Sequence, residues 1–124
     1  MTTDHDAQFH QAVALLETGN KNNWERGAFI LENLFLTVDD SERKRDYAYY
    51  LAVAFTKLKN YEKALKFTNS ILKAEPNNRQ VEDLQAKIRQ QMKEDGLLGM
   101  AIVGAGALLA GTLIGLGIAL AKKR

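Results

Sequence analysis

Hydrophobic and polar positions alternate with the period of an α-helix over most of the chain. From residue 8 to residue 93, apolar side chains recur three and four residues apart, and no stretch shows the strict alternation that is typical of a strand. Phe9 and Leu16 lie on one face of the first predicted helix, which Gly19 ends, and a second helix is predicted for residues 24–37. The pattern therefore predicts an all-α domain.

Three further helices follow, and polar residues mark where they begin. Asp40 or Ser41 can cap the third helix and Asn60 the fourth, because short polar side chains accept hydrogen bonds from the free amides of a first turn. Pro76 stops the fourth helix, and a fifth follows. The positions predicted to face inward in these helices are Ala48, Leu51, Ala52, Phe55, Tyr61, Ala64, Leu65, Thr68, Leu72, Val81, Leu84, Ile88 and Met92. We therefore expect a bundle of about five helices.

The stretch RDYAYYLAVAFTKLKNYEKALKFTNSILKAEPNN has small, large and proline residues at the positions typical of a tetratricopeptide repeat. Leu51 begins a large-small pair, Phe55 is the aromatic residue one turn later, and Ala64 is the small residue where two helices cross closely. Pro76 ends the unit. An ordinary helical hairpin is the alternative. The pattern favours a tetratricopeptide-like domain over residues 8–93.

The last part of the chain is different, because Leu97–Ala121 holds 25 residues without a charge. A helix of that length spans roughly 37 Å at ~1.5 Å per residue, and a bilayer core is about 30 Å thick. We predict a transmembrane tail anchor at residues 97–121, after a junction at 94–96 and before a basic tip at 122–124. Residues 1–7 are a polar N-terminus without the apolar core of a secretory signal.

Two alternatives to a tail anchor fit the sequence less well. A domain of this size has little core in which to bury another apolar helix. A removed lipid-anchor signal needs a small-residue cleavage site and a polar spacer, whereas charged residues border this run directly. An anchor at the C-terminus leaves the N-terminal domain in the cytosol, and its Gly- and Ala-rich composition with a short basic tip favours the outer mitochondrial membrane.

Composition narrows the function classes. Lys122, Lys123 and Arg124 supply three of the 17 basic residues, so the formal charge of residues 1–96 is −1 rather than the +2 of the whole chain. This balance does not favour nucleic-acid binding. The chain has no cysteine and two histidines, and it shows no metal-ligand spacing, nucleophile–base pair or phosphate loop. We therefore expect neither an enzyme nor a cofactor.

Three stretches together resemble the mitochondrial fission protein 1 family: RDYAYYLAVAFTKLKNYEKALKF, LKAEPNN and KEDGLLGMAIVG. The likeness covers roughly residues 8–124. Its most specific part is the junction Asp95-Gly96-Leu97 followed by Gly99-Met100-Ala101, which generic repeat proteins lack. The resemblance implies a cytosolic tetratricopeptide-like bundle held by one C-terminal anchor in the outer mitochondrial membrane, and also in peroxisomes.

The resemblance further implies an adaptor that recruits a dynamin-related GTPase or its adaptors in organelle fission. Two adaptor functions without a role in fission stay open. Docking of chaperone C-termini needs a clamp of Lys, Arg and Asn on the concave helices. The corresponding positions here do not supply that clamp, because they carry His10, Ala14, Asp46, Tyr49, Tyr50 and Val53. Recognition of amphipathic presequences needs an apolar groove with an acidic rim, which the sequence neither shows nor forbids.

The second helix raises a separate expectation. The family usually begins with an N-terminal arm and a first helix, whereas only about eight residues precede the stretch that matches the family's second helix. WERGAFILENLFLTV is apolar on more than one face, and such a helix needs cover on two sides. We expect a partner, a second copy or a displaced N-terminus to cover it, with repacking of the bundle as the alternative. The residues of this second apolar interface are Phe29, Ile30, Leu31, Phe35 and Leu36.

Stacked helical pairs present a concave face lined by the first helix of each pair, and we expect partners to bind there. Tyr49 and Tyr50 are the candidate anchors, because tyrosine offers a large contact area at low entropic cost. The predicted partner-binding residues are His10, Ala14, Glu17, Asp46, Tyr49, Tyr50, Val53, Thr56 and Lys57. In the anchor, small residues recur every four positions and allow close helix packing and a homo-oligomer. They are Ala107, Gly111, Gly115 and Ala119.

Overall fold

The computed structural model of the protein describes residues 2–96, and these residues form five α-helices. The helices are α1 (Thr2–Leu16), α2 (Lys21–Thr37), α3 (Ser41–Lys57), α4 (Tyr61–Ala74) and α5 (Arg79–Glu94). The described residues contain no strand, so the predicted all-α class and the helix count are confirmed.

The predicted span 97–121, the basic tip and the small residues of the anchor lie outside the described residues. Within residues 2–96, no helix is both long enough and apolar enough to cross a membrane.

Four of the helices begin at a polar residue that caps them. The Asn20 side chain accepts hydrogen bonds from the amides of Asn22 and Asn23, and the Asp40 side chain accepts one from the Arg43 amide. Asn60 and Asn78 cap α4 and α5 in the same way. Each cap satisfies an amide that has no partner within its helix. The predicted caps Asp40 and Asn60 are therefore confirmed.

Two predicted starts differ from the structure. Helix α1 begins at Thr2, inside the segment predicted as a polar N-terminus, because polar residues continue a helix when nothing breaks it. Helix α2 begins at Lys21 rather than at residue 24. The Asn20 side chain accepts hydrogen bonds from the amides of Asn22 and Asn23, and this cap brings both asparagines into the first helical turn.

Each helix packs mainly against the next one along the chain, with further contacts between α1 and α3 and between α3 and α5. This arrangement stacks two helical pairs, α1–α2 and α3–α4, and α5 covers the end of the second pair. Every position predicted to face inward in α3, α4 and α5 is buried or half-buried. The largest fully buried side chains are Leu16, Leu31, Leu34, Leu51, Ile71, Ile88, Met92, Val81 and Thr68. Burying one such apolar side chain stabilises the fold by about 1.5–3 kcal/mol.

The two helical pairs meet at a cluster of phenylalanines. The Phe67 ring stacks on Phe55 at a centroid distance of 6.0 Å and meets the Phe35 ring edge-on at 6.0 Å. The Lys44 ammonium group donates a hydrogen bond to the Phe35 carbonyl and lies 4.7 Å from the Phe35 ring centroid. A cation at the C-terminal turn of α2 also favours the helix dipole there. Phe35 is therefore a core residue through which α2 packs against the second helical pair.

The predicted second apolar interface is split by the structure. Leu31 and Phe35 are buried in the core, and the Phe35 ring contacts Lys44 of α3 and Phe67 of α4. Ile30 is half-buried, whereas Phe29 is 64% exposed and Leu36 is 76% exposed. Leu31 and Phe35 are thus not available to a partner. The exposed apolar face of α2 is therefore narrower than predicted and consists of Phe29 and Leu36.

Candidate partner-binding groove

A groove of about 470 Å³ lies between α3 and α5. Four of the predicted partner-binding residues line its α3 wall: Tyr49, Val53, Thr56 and Lys57. The α5 wall consists of Gln80, Asp83, Leu84, Lys87 and Gln91. The structure therefore brings together the second half of the predicted face and adds a wall from α5.

The inner part of the groove is apolar. Val53 and Leu84 are half-buried and pack against the core from opposite walls. Thr56 is buried, with 7% of its surface exposed, and its hydroxyl donates a 2.6 Å hydrogen bond to the Ala52 carbonyl. Because that hydroxyl is already paired, Thr56 contributes shape to the floor of the groove rather than a free polar contact.

Charged side chains line the rim of the groove. Lys57 and Lys87 are cations, and Asp83 is an anion on the same wall as Lys87. The Lys57 ammonium group lies 5.4 Å from the Trp24 ring centroid, at a distance typical of a cation–π contact. The Trp24 indole nitrogen in turn donates a 2.6 Å hydrogen bond to the Thr18 carbonyl. The loop between α1 and α2 thus fixes the tryptophan against which Lys57 rests.

The two predicted anchor tyrosines lie on different sides of α3. Their rings meet edge-on at 5.2 Å, and only Tyr49 lines the groove. The Tyr50 ring instead packs edge-on against Phe9 of α1 at 5.5 Å. Burial raises the pKa of the Tyr49 phenol, as does the neighbouring Tyr50, while a hydrogen bond with Gln80 opposes this rise. The Tyr49 hydroxyl is therefore protonated at neutral pH and can donate or accept a hydrogen bond.

The other predicted residues lie outside the groove. His10, Ala14 and Glu17 are exposed on α1, and His10 is beside Phe9 with ring centroids 5.9 Å apart. Asp46 is exposed near the start of α3, and its carboxylate lies 3.3 Å from the guanidinium of Arg45. These four residues are therefore surface residues that do not line the groove. Among the described residues, no cluster of acidic and histidine side chains could hold a metal ion.

The residues of the α5 wall were not predicted as part of a site. A signal was present, because Gln80, Leu84, Lys87 and Gln91 recur at spacings of four and three and so share one face of α5. That face is adjacent to the buried Val81 and Ile88. Sequence spacing alone does not show that α5 leaves a gap beside α3 instead of closing over it.

Comparison with known proteins identifies the family. The model of the Fis1 C-terminal tetratricopeptide repeat matches residues 45–97. The mitochondrial fission 1 protein of Rattus norvegicus is 44% identical over 118 residues, which is 94% of this chain and 77% of the relative. The human protein of the same name is 43% identical over the same shares. The chain belongs to the mitochondrial fission 1 protein family.

A protein named as FIS1-related is also similar to this chain. The FIS1-related protein fis-2 of Caenorhabditis elegans is 41% identical over 106 residues, covering 86% of this chain and 70% of the relative. The part matched by the family model includes both walls of the α3–α5 groove, whereas α1 and α2 precede it. The groove is thus built from the segment that carries the family's repeat, and the exposed α2 face is not.

Proposed function

We propose that the chain is a tail-anchored adaptor of mitochondrial fission, which recruits fission machinery such as a dynamin-related GTPase through the α3–α5 groove. The observation that carries this proposal is an open groove with an apolar floor, a tyrosine anchor and a charged rim, located within the family's repeat. The relatives are named for mitochondrial fission. The proposed location is the outer mitochondrial membrane, with the helical domain in the cytosol, and the peroxisomal membrane is a second proposed location.

The mechanism needs no catalysis. The uncharged segment 97–121 holds the domain at the membrane, and the groove collects a cytosolic protein there. Because tethering raises the local concentration of both proteins, a modest affinity at the groove suffices for recruitment. Tyr49 is the one aromatic side chain among the residues that line the groove, and anchor residues of this kind contribute about 2 kcal/mol or more to an interface.

The proposal is tested by recruitment in cells that express the full chain with an N-terminal fluorescent tag. We expect the full chain to rim mitochondria and a chain ending at Gly96 to be diffuse. Tyr49→Ala should reduce the amount of dynamin-related GTPase that co-purifies with the chain by about tenfold or more. Tyr50→Ala tests the α1 side of the predicted face, and Arg89→Ala on the exposed surface of α5 is the matched control. Unchanged recruitment in both tyrosine variants would refute the assignment of this face.

A second candidate function is favoured by one observation. Lys57 and Lys87 line the same groove, and two ammonium groups can hold a terminal carboxylate. An adaptor for chaperone C-termini without a role in fission would use them. A C-terminal peptide and its amidated form distinguish the two functions: the amidated form should bind at least tenfold more weakly only if the groove holds a carboxylate.

A further inference from the structure

The exposed face of α2 has the spacing of a helix-packing seam. Asn22, Arg26, Phe29, Asn33 and Leu36 follow one another at intervals of four and three residues, and we call these five residues the α2 stripe. Such intervals place side chains in one line along a helix, as in the seam along which two helices pack. Phe29 is 64% exposed and Leu36 is 76% exposed, and no other large hydrophobic side chains of the described residues are exposed.

A depression adjoins the N-terminal half of the stripe. It has a volume of about 530 Å³ and is lined by Asn22, Glu25, Arg26, Phe29 and Ile30. A side chain from another helix could enter it beside the Phe29 ring. The stripe therefore offers both a seam and a recess, and together these favour a helical occupant over an extended one.

The charges beside the stripe indicate what kind of helix fits. Glu25 and Glu32 are seven residues apart, so they lie on the same edge of the stripe about two turns from each other. Lys21, one turn before Glu25, is a cation at the N-terminal end of that edge, so the anionic part of the edge runs from Glu25 to Glu32. Arg26 lies toward the opposite edge and would repel a helix that is basic all round. The pattern thus complements a helix whose cations run along one flank and whose apolar residues face the stripe.

The same charges disfavour two other occupants. In an antiparallel two-fold pairing of this chain about the middle of the stripe, Glu32 lies opposite Glu25 of the second copy, and like charges at such positions are unfavourable. An anionic lipid surface would meet the Glu25 and Glu32 edge with the same sign of charge. A basic partner helix has neither conflict.

We propose that the α2 stripe docks an amphipathic helix of a partner protein, with Lys or Arg along the flank that meets Glu25 and Glu32. This site is separate from the α3–α5 groove, because no residue lines both the groove and the α2 depression. The inference does not depend on the proposed function of the groove.

The chain has no cysteine, so a single dye can be placed on the stripe. The test uses the full chain in nanodiscs of neutral lipid, with Asn33→Cys carrying a fluorophore and Arg89→Cys as the matched label on α5. The probe is an 18-residue amphipathic peptide that carries a quencher, leucines at the stripe spacing and lysines on one flank. A peptide with glutamates in place of those lysines is its control, and empty nanodiscs measure binding to lipid.

We expect saturable quenching at the Asn33→Cys label and none at the Arg89→Cys label. Phe29→Ser with Leu36→Ser should raise the Kd at least tenfold. Glu25→Lys with Glu32→Lys should weaken the lysine peptide about tenfold and transfer the preference to the glutamate peptide, and added salt should reduce both effects. This reversal of preference cannot come from loss of the fold, since an unfolded stripe would bind neither peptide.

Three results would overturn the proposal. Equal quenching by both peptides would show that charge does not select the occupant. Energy transfer between donor- and acceptor-labelled chains without peptide would show that a second copy covers the stripe. Quenching at the Asn33→Cys label by a lipid-borne quencher would show that the membrane covers it.

Discussion

Gly27 of α2 packs directly against the backbone of α1, and replacing it with alanine tests that packing. A Cβ atom at this position would be 3.0 Å from the Ala12 carbonyl oxygen and 3.0 Å from the Leu16 Cδ2 atom. Ordinary contacts between such atoms are about 3.5–4.0 Å. The Leu16 side chain can adjust, but the Ala12 oxygen belongs to the backbone of α1, so the two helices would have to separate by several tenths of an ångström.

Two opposing terms set the magnitude. Alanine is favoured over glycine inside a helix by about 1 kcal/mol. Overpacking a tight contact costs about 1–3 kcal/mol, because the shift also weakens the contacts of its neighbours. These neighbours include the buried Ala12, Leu16, Ala28 and Leu31. We therefore expect Gly27→Ala to lower the free energy of unfolding by about 1 kcal/mol, and Gly27→Val, which adds two further carbons, to lower it by about 2 kcal/mol or more.

The assay is thermal unfolding of the full chain in detergent micelles, followed by the helical signal in circular dichroism. For a domain of this size, about 1 kcal/mol corresponds to roughly 4–8 °C in Tm. Gly19→Ala is the matched control, because no atom lies within 4 Å of its added Cβ, and its Tm should change little. If Gly27→Val is as stable as the unmodified chain, the approach of α1 and α2 is not as close as the structure shows, and the reasoning fails.

Three further predictions concern polar groups. Lys66→Met should raise the free energy of unfolding at neutral pH by about 1–2 kcal/mol, because the Lys66 Nζ atom is buried and has no hydrogen-bond partner among the described residues. Burial, and secondarily Lys63, lowers the pKa of Lys66. The ammonium group of Lys66 therefore holds its proton more tightly in the unfolded chain than in the folded one. As pH approaches 10.5, the stability of the unmodified chain should rise relative to that of Lys66→Met, and denaturant titrations at several pH values would measure this change. The Tyr61 hydroxyl donates a 2.5 Å hydrogen bond to Asp95, and burial followed by Asp95 raises the pKa of Tyr61 to about 12. Below pH 10, Tyr61→Phe should lower the free energy of unfolding by about 1–2 kcal/mol. This difference should disappear as pH rises from 10 to 12, because the hydrogen bond is lost when the phenol of the folded chain ionises. If the hydrogen bond is absent, the same denaturant titrations at alkaline pH would show a constant difference. Asn20→Ala removes the cap of α2 and should lower the free energy of unfolding by about 1 kcal/mol, whereas Asn22→Ala in the first turn should lower it by less. Faster hydrogen exchange at the Asn23 amide would report directly that its hydrogen bond to the Asn20 side chain is lost.

The features that could be predicted from sequence are those set by short-range chemistry. The caps Asp40 and Asn60 each bond to an amide three residues later, and the stop before Pro76 follows from the missing amide of proline. The inward positions of α3 to α5 follow from a helical period that any amphipathic helix must show. Asn20 marks the limit of this reasoning, because its side chain can either end one helix or start the next, and the structure shows the second.

The features that could not be predicted depend on which helix lies across from which. Leu31 and Leu36 both belong to the apolar stretch of α2, yet one is fully buried and the other is largely exposed. Their difference arises because α1, α3 and the Phe67 ring of α4 surround only part of the α2 circumference. In the same way, Tyr49 and Tyr50 are neighbours in sequence, and only the positions of α5 and α1 direct one to the groove and the other to Phe9.

These arrangements also bear on whether the two surfaces act together. The groove is formed by α3 and α5, and the α2 stripe lies on a helix that packs against α1 and α3. No residue lines both the groove and the α2 depression, and the stacked rings of Phe55 and Phe67 belong to the core that the helices share. Substitutions at separate sites without shared contacts have nearly additive effects. Tyr49→Ala should therefore leave binding at the α2 stripe within about twofold of the unmodified chain, and Phe29→Ser with Leu36→Ser should leave recruitment at the groove unchanged. A larger cross-effect would mean that the phenylalanine cluster has two packing arrangements, since a well-packed core can couple distant surfaces only by switching between discrete states.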